Sequence, residues 1–166
     1  MTADVLPDPK RLRSLLATFA TGVTVLTVGG ATPRGMTANS FTSVSIEPPL
    51  VLVCVDRTAI MHASLHRAGA FGVSVLASDQ EELARYFADH DRPPGFAQFE
   101  PVGWLPGENT GVPLIRGALA WFECGLWRMY DGGDHSIVVG NLISATRLVD
   151  GAGPLLFHQG GFHRLD

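Results

Sequence analysis

The chain is poor in charge and has no long hydrophobic run. Charged residues make up only 17% of its 166 residues, the net charge is −4, and lysine and arginine form no basic stripe. The electrostatic footprint that holds nucleic-acid phosphates is therefore missing, and we expect no nucleic-acid partner. The apolar stretches, such as residues 49–55, are too short to span a bilayer. Because residues 1–13 carry no apolar run either, we expect neither a signal peptide nor a membrane anchor, and we expect a cytoplasmic protein.

Several common sites lack a residue that they require. Cys54 and Cys124 lie in apolar runs without a C-x-x-C pair or an activating base, which favours buried thiols over a disulfide or a catalytic thiol. His62 and His66 share a helix face without a third ligand, so we expect no metal site. The glycine-rich turn before Met36 has the spacing of a P-loop, but Met36 occupies the position of the required lysine, so a P-loop is excluded. No G-x-G-x-x-G follows a strand, so a nicotinamide cofactor would not be held in the Rossmann manner.

Apolar residues, by contrast, are abundant. They make up 46% of the chain, and the mean hydropathy is +0.19. The length suits one domain, which we expect to cover residues 1–166. So much apolar surface on a chain of this size indicates that a partner subunit covers part of it, and we expect a homo-oligomer.

The hydrophobic periodicity predicts a mainly β protein with peripheral helices. Helices are predicted at residues 9–20 with Asp8 as N-cap, at residues 59–68, and from a capping box of Ser78 and Glu81 through Ala88. Strands are predicted at residues 23–28, 36–45, 50–55, 71–76, 118–129, 136–148 and 155–164, and a long loop at 89–109. The strand at 50–55 is apolar throughout, which predicts burial on both faces. The pattern fits a closed or nearly closed antiparallel barrel.

The first candidate binding segment is the hydroxyl-rich stretch at residues 35–45. Alternation along one strand would place Thr37, Asn39, Phe41 and Ser43 on one face and Ala38, Ser40, Thr42 and Val44 on the other. Short donors and acceptors of this kind could bond the edge of a flat, heteroatom-rich ring such as an isoalloxazine. The alternative is an ordinary Thr/Ser-rich edge strand, which composition alone favours.

Two further segments could bind anions or a nicotinamide. Asp56-Arg57-Thr58 follows a buried strand and precedes a helix, where free amides, a hydroxyl and a guanidinium could hold a phosphate, although Asp56 or Thr58 could equally just cap the helix. The Gly-rich turn before Ser136 presents Asp134 and His135 at a strand end. An imidazole there could contact a nicotinamide amide or a phosphate, or move a proton, whereas turn chemistry explains the glycines and Asp134 but not the histidine.

Read together, these segments resemble the flavin reductase family of the FMN-binding split-barrel fold, the reductase components of two-component flavin-dependent monooxygenases. The resemblance covers nearly the whole chain and depends on the order of its motifs. These are residues 19–23, 35–41, 48–51, 71–76, 110–113, 117–124, 133–136 and 154–158. Any one motif is weak, but eight in register are very specific.

The resemblance implies where the two cofactors bind. The flavin ring would lie against Met36, Thr37, Ala38, Asn39 and Ser40, with Ser43 on the same segment, and the flavin phosphates would meet Asp56, Arg57 and Thr58. His135, our candidate catalytic residue, would contact the nicotinamide cofactor. In two places the chain departs from the family pattern. Gln98 replaces a common basic residue before Phe99, and Phe162-His163 replaces a frequent tyrosine.

The implied activity is reduction of FAD or FMN by NADH, or by NADPH, for a partner monooxygenase. Hydride transfer belongs to the cofactors, and the protein mainly aligns them, so we expect no classical general base. Two alternatives are a split-barrel oxidase of the pyridoxamine-phosphate oxidase type and a non-enzymatic flavin-binding protein. The first would need an Arg/Lys cluster for a substrate phosphate, and the sequence shows no convincing one. The fold that the resemblance implies pairs two barrels, so we expect a homodimer.

Overall fold

Seven antiparallel strands form the main sheet of the protein, for which a computed structural model describes residues 8–148 and 152–165. In chain order the strands are β1 (Thr21–Gly22), β2 (Thr24–Val28), β3 (Arg34–Ala38), β4 (Thr42–Ile46), β5 (Pro49–Asp56), β6 (Ala70–Val75), β7 (Trp104–Pro106), β8 (Pro113–Ile115), β9 (Ala120–Gly132), β10 (His135–Arg147), β11 (Leu155–His158) and β12 (Gly161–Arg164). The helices are α1 (Pro9–Leu16), α2 (Ile60–Ala68) and α3 (Glu81–Ala88), with a 3-10 turn at Gly95–Phe99. The prediction of a mainly β protein with peripheral helices is therefore confirmed.

The main sheet runs in the order β3-β2-β6-β9-β10-β5-β4, so that β3 and β4 lie at its two edges. Only three residues separate the end of β3 at Ala38 from the start of β4 at Thr42. Since consecutive Cα atoms are about 3.8 Å apart, the two edges cannot be more than about 15 Å apart at this point. The sheet must therefore curl until its edges nearly meet, which is the nearly closed barrel that the sequence predicts.

Two hydrophobic clusters lie on opposite sides of β2, where the neighbouring residues Leu26 and Val25 belong to different clusters. One cluster packs the inner face of the sheet against α2. The other packs β2 against α3, the 3-10 turn and β11. Cys124 is buried in the first cluster as a free thiol, and burial raises its pKa to about 12, whereas the free Cys54 is only half-buried. No helix among the described residues is long and apolar enough to cross a membrane.

The predicted strand at residues 36–45 is wrong, because the chain there forms two strands at opposite sheet edges. The hydroxyl of Ser40 donates to the carbonyl of Cys54 at 3.0 Å and accepts from its amide at 2.9 Å, which holds the crossing segment against β5. The expected alternation of faces is interrupted at this crossing. The segment 155–164 is likewise two strands, joined at Gln159 and Gly160, whose φ angles of 49° and 79° make a tight turn.

Three smaller expectations also need correction. Val51, Val53 and Val55 are buried, but the alternate side chains of β5 are half-buried, so that strand is not buried on both faces. Helix α3 begins at Glu81 without the predicted Ser78 cap, since the side chain of Gln80 instead bonds the Ala77 amide and the Arg116 carbonyl. Helix α1 has its predicted Asp8 cap but ends at Leu16, and the expected loop at 89–109 contains the 3-10 turn and β7.

Candidate functional site

A cavity of about 340 Å³ lies between β3, the β5–α2 connection and the end of α3. Its size is within the range of small-molecule sites in proteins, which begin at about 300 Å³. Three of the sequence-predicted site residues line it: Met36 from β3, and Asp56 and Thr58 from the β5–α2 connection. The structure therefore brings together two segments that lie 20 residues apart in the sequence.

One wall of this cavity carries basic side chains, and sequence reasoning missed it. Arg34, His90 and Arg92 all line the cavity. Arg34 and His90 make no hydrogen bond or ion pair within the described part of the chain, so both side chains remain available to a ligand. Arg34 could have been found, since it precedes Met36 by two residues on the same strand and so shares its face. His90 and Arg92 follow α3 in a segment without periodicity, which gave no signal.

The β5–α2 connection and the first turn of α2 line the same cavity, but the amides of Arg57, Thr58 and Ala59 are already hydrogen-bonded within the fold. Oδ1 of Asp56 accepts hydrogen bonds from the amide and the hydroxyl of Thr58, each at 2.7 Å, and these bonds hold the pKa of Asp56 below its usual value. Asp56 thus closes the turn and does not cap α2. The N-cap of α2 is Ala59, which has no side-chain hydrogen bond to offer, and Ile60 and Met61 of the first turn line the cavity. First-turn amides of this kind are a ready binding site for anions.

Arg57, between these two residues, does not line the cavity. Its guanidinium forms an ion pair with Asp131 at 3.0 Å and donates to the carbonyl of His135 at 3.2 Å, while its amide donates to the carbonyl of Asp134 at 3.0 Å. Arg57 therefore fastens the β9–β10 turn to the end of β5. In the described conformation its charge is directed to the turn.

His135 lies beside the cavity through its strand pairing. It is the first residue of β10, directly opposite Asp56 of β5. Its Nδ1 is 2.7 Å from the Asp134 carboxylate, and its side chain is 41% exposed. The following residue, Ser136, is hydrogen-bonded to Nε2 of His62 on α2 at 2.8 Å. The imidazole is thus held at the strand end, next to a residue of the cavity and open to solvent.

The remaining residues predicted on the first segment lie elsewhere. Thr37 and Asn39 line a second cavity of about 150 Å³ with Phe157 and Phe162, on the side of β3 away from Met36. Ala38 is buried, Ser40 braces Cys54, and Ser43 is exposed on β4. The hydroxyl of Thr37 donates to the carbonyl of Ala84 at 2.6 Å, whereas Asn39 is exposed and makes no hydrogen bond within the described residues. Ala88 lines both cavities, so they adjoin at the end of α3.

The two departures from the family pattern also have definite places. Gln98 is fully buried, accepts from the amide of Gly35 at 2.8 Å and donates to the carbonyl of Pro33 at 2.9 Å, so it does not line the cavity. Phe162 lines the smaller cavity, and the guanidinium of Arg85 lies 4.9 Å from its ring centroid. His163 is exposed, with Nε2 3.2 Å from the carbonyl of His158.

A family model described as "Flavin reductase like domain" matches residues 16–166. The chain belongs to the flavin reductase-like family. Among curated relatives, an NADH-dependent FAD reductase from Streptomyces globisporus is 56% identical over 162 residues, covering 96% of this chain and 88% of that protein. The reductase subunit of a flavin-dependent monooxygenase from Rhodococcus jostii is 37% identical, with 93% and 77% covered.

Solved structures show that this flavin reductase-like chain has the fold of its relatives. The flavin reductase component of a bacterial two-component tryptophan halogenase has a TM-score of 0.91 and 57% identity, covering 95% of this chain and 98% of that one. An NADH:FAD oxidoreductase from Streptomyces globisporus, in complex with NAD and FAD fragments, has a TM-score of 0.91 and 50% identity, with 99% and 98% covered. The split-barrel fold that the motifs imply is therefore confirmed, and the chain is an oxidoreductase of this family.

Proposed function

We propose that this chain is an NADH-dependent flavin reductase that reduces FAD or FMN as a substrate and supplies the reduced flavin to a partner monooxygenase. The observation that carries the proposal is the 56% identity, over 96% of the chain, to an NADH-dependent FAD reductase. Relatives that are reductase components of a monooxygenase and of a halogenase support the two-component arrangement. We further infer a cytoplasmic location and no nucleic-acid partner, as the composition indicates.

The larger cavity fits the phosphate-bearing part of a flavin. Arg34 and His90, which make no hydrogen bond within the described residues, and the first-turn amides of α2 are groups that bind phosphate oxygens, whereas the hydroxyl of Thr58 already donates to Asp56. The carboxylate of Asp56 also lines this cavity, and the two hydrogen bonds from Thr58 favour its charged form, so the cavity's arginines must offset its repulsion of a phosphate. We assign anion binding to this set, with Met36 as its apolar wall. Arg57 serves by fastening the neighbouring turn.

The smaller cavity and the segment around it would hold the ring. The side-chain amide of Asn39 makes no hydrogen bond within the described residues and could bond a heteroatom edge, and Phe157 and Phe162 offer apolar surface beside it. Thr37, Ala38, Ser40 and Ser43 remain candidate flavin contacts. Because the hydroxyls of Thr37 and Ser40 already bond backbone groups, we expect them to act by shaping the segment. Ala88, which lines both cavities, marks where the ring and phosphate ends would join.

His135 would receive the nicotinamide cofactor at the edge of the same site. It lies opposite Asp56 and is partly open to solvent, so a second substrate can approach it from outside. When both cofactors are bound, hydride passes from the nicotinamide to the flavin, and that chemistry is theirs. The task of the protein is to hold them in one geometry, which can itself lower the barrier by several kcal/mol. The bond to Asp134 would fix the orientation of the imidazole.

The deciding experiment is NADH oxidation by the purified protein with added flavin. We expect consumption of NADH in proportion to free FAD or FMN, with NADPH tested in parallel. An oxidase of the pyridoxamine-phosphate oxidase type would instead consume oxygen with an amine substrate and without NADH. A flavin-binding protein without catalysis would bind the flavin and leave NADH unchanged.

We propose that the chain works as a homodimer. Ile46 is 87% exposed, and Val44, Trp127 and Ile143 are each close to half exposed, on strands of the main sheet. Leu52 of β5 is half-buried and alternates with the buried Val51 and Val53, so its side chain lies on the opposite face of the strand from theirs. Covering such apolar surface favours association. Analytical ultracentrifugation at micromolar concentration is expected to give twice 17.7 kDa, and a stable monomer would contradict this proposal.

A further inference from the structure

Within the described residues the edge strand β3 pairs with no strand on its outer side, yet the backbone of one of its residues is fully hydrogen-bonded there. The amide of Gly35 donates to Oε1 of Gln98 at 2.8 Å, and the carbonyl of Gly35 accepts from Nη2 of Arg92 at 2.6 Å. Gly35 is paired with Thr27 of β2 on the other side. In an antiparallel pair the amide and the carbonyl of one residue point the same way. Two side chains of the segment after α3 therefore take the place of a missing strand.

We call the two side chains that bond Gly35, those of Gln98 and Arg92, the clasp. Gln98 is its buried half. It is 0% exposed, and besides Gly35 it bonds the carbonyls of Pro33 and Gly95 at 2.9 and 3.0 Å. Its own carbonyl accepts from the hydroxyl of Tyr86 on α3 at 2.8 Å. Every polar atom of the Gln98 side chain is thus used within the fold.

Arg92 forms the other half and joins β3 to the end of α3. Its Nη1 donates to the carbonyls of Phe87 at 2.7 Å, Tyr86 at 3.3 Å and Asp89. These carbonyls lie at the C-terminus of α3, where the last turn lacks intrahelical partners, and that of Tyr86 also accepts from the amide of Asp89 at 3.2 Å. The guanidinium also lies 5.5 Å from the ring centroid of Phe87. That ring packs so closely on Gly35 that a Cβ there would come within 2.5 Å of it.

The clasp lies at the point where the two walls of the larger cavity meet. Gly35 stands between Arg34 and Met36, which line the β3 wall, while Phe87 and Arg92 line the α3 wall. A change in the bonds to Gly35 would therefore change the separation of the walls. Because rigid support for a site is needed to within fractions of an ångström, such a change is expected to alter ligand affinity.

We propose that Arg92 and Gln98 are positioning residues for the flavin substrate, holding the β3 wall of the cavity at its working distance from α3. Arg92 acts through the forked geometry of its guanidinium, which reaches Gly35 and the α3 carbonyls together. Its charge on its own is not sufficient. A lysine has the same charge but a single ammonium group, which cannot form both sets of bonds. This inference rests on the proposed function, since it names the flavin as the ligand.

The test compares Arg92→Lys and Arg92→Met with wild type and with Arg116→Met as a matched control. Arg92 is only half-buried, so both variants are expected to fold, and Arg116 is exposed and lies outside both cavities. Oxidised FAD is titrated by tryptophan fluorescence without NADH, and hydrogen exchange at the Gly35 amide is followed by NMR. Melting temperatures give the folded fraction.

We expect both Arg92 variants to bind FAD about tenfold more weakly per folded molecule, with faster exchange at Gly35. In turnover assays the Michaelis constant for FAD should rise more than kcat falls, and Arg116→Met should match wild type. Wild-type FAD affinity in Arg92→Lys would overturn the proposal in favour of a simple charge. Lower melting temperatures with unchanged FAD affinity in both variants would also overturn it, in favour of a purely structural role. If wild type binds FAD but does not oxidise NADH, the proposed function fails while the positioning result still stands or falls on binding.

Discussion

The buried carboxylate of Glu123 accepts a hydrogen bond from the hydroxyl of Thr110 at 2.6 Å. It also accepts from the Thr110 amide, from the amide and side chain of Asn109, and from the hydroxyl of Ser144. Glu123 therefore joins β9 to the β7–β8 connection and to β10. A Cβ on Gly107 would come within 2.4 Å of its Oε2, so this position requires glycine. Glu123 is only 3% exposed, and hydrogen bonds from five donors offset the free-energy cost of burying its carboxylate.

The first prediction concerns Glu123→Gln. The amide of glutamine places a donor where the carboxylate accepts, which leaves at least one buried donor of this network without a partner. We expect a loss of about 2 to 3 kcal/mol in the free energy of unfolding, measured by urea denaturation. Glu82→Gln, on the exposed side of α3, is the matched control and should stay close to wild type. Equal stability of the two variants would show that the Glu123 network contributes nothing.

The second prediction is a pH dependence from the same carboxylate. Burial by itself raises the pKa of Glu123, but the bonds from Thr110, Asn109 and Ser144 outweigh it and lower the pKa from 4.5 to about 2. Between pH 4.5 and about pH 2 the unfolded chain binds more protons than the folded protein. The stabilisation that ionised Glu123 provides is therefore complete above pH 4.5 and is lost as the pH falls towards 2. Wild type should therefore lose its advantage over Glu123→Gln progressively on acidification. A constant difference between pH 6 and pH 3 would contradict this.

Much of the fold could be predicted from the sequence because its strands are marked by β-branched runs and by glycine turns. The split at residues 39–41 could not, since Ser40 interrupts the strand through a hydroxyl bond to Cys54, which is distant in the sequence. The hairpin of β11 and β12, by contrast, could have been predicted, because Gln159-Gly160 is a recognisable turn signal.

Some of the residues that line the candidate site could be predicted from the sequence, and others could not. Motifs supplied Met36, Asp56 and Thr58, which do line one cavity. His90 and Arg92 were hidden because they reach the cavity from an aperiodic segment after α3, and only tertiary packing decides where such a segment lies. The family resemblance assigned Thr37 and Met36 to the same flavin-ring site. Neighbouring residues of a strand face opposite sides, however, and the two residues line different cavities.

The third prediction tests Ser40 as a brace. Its hydroxyl replaces a strand partner for Cys54, so Ser40→Ala leaves the Cys54 amide and carbonyl unpaired on that side. We expect a loss of about 1 to 3 kcal/mol in unfolding free energy with little change in flavin affinity per folded molecule. Ser43→Ala, at an exposed position of β4, should change stability by less than about 0.5 kcal/mol. If Ser40→Ala keeps its stability and loses flavin affinity, the hydroxyl is a direct flavin contact.

The fourth prediction separates the two substrates through His135. Because His135 lies outside both cavities, His135→Ala should raise the Michaelis constant for NADH or slow hydride transfer while flavin affinity is nearly unchanged. His66→Ala, an exposed histidine of α2, is the control. Melting temperature, flavin dissociation constant and NADH kinetics are measured on one preparation. If stability and flavin binding fall while the NADH parameters per folded site remain those of wild type, His135 has only a structural role.

The last prediction distinguishes Asn39 from Thr37, two neighbours on the smaller cavity that have different bonding states. The Asn39 side chain is exposed and unbonded within the described residues, so Asn39→Leu should keep the melting temperature and weaken flavin binding by about 1 to 3 kcal/mol, because a ring heteroatom loses its partner. Thr37 already donates to the carbonyl of Ala84, so Thr37→Val should mainly lower stability by loosening β3 from α3. Thermal unfolding and fluorescence titration give a melting temperature and a flavin dissociation constant for each variant. Unchanged flavin affinity in Asn39→Leu would remove Asn39 from the site, and a stable Thr37→Val with weakened binding would instead show that the Thr37 hydroxyl turns to the flavin.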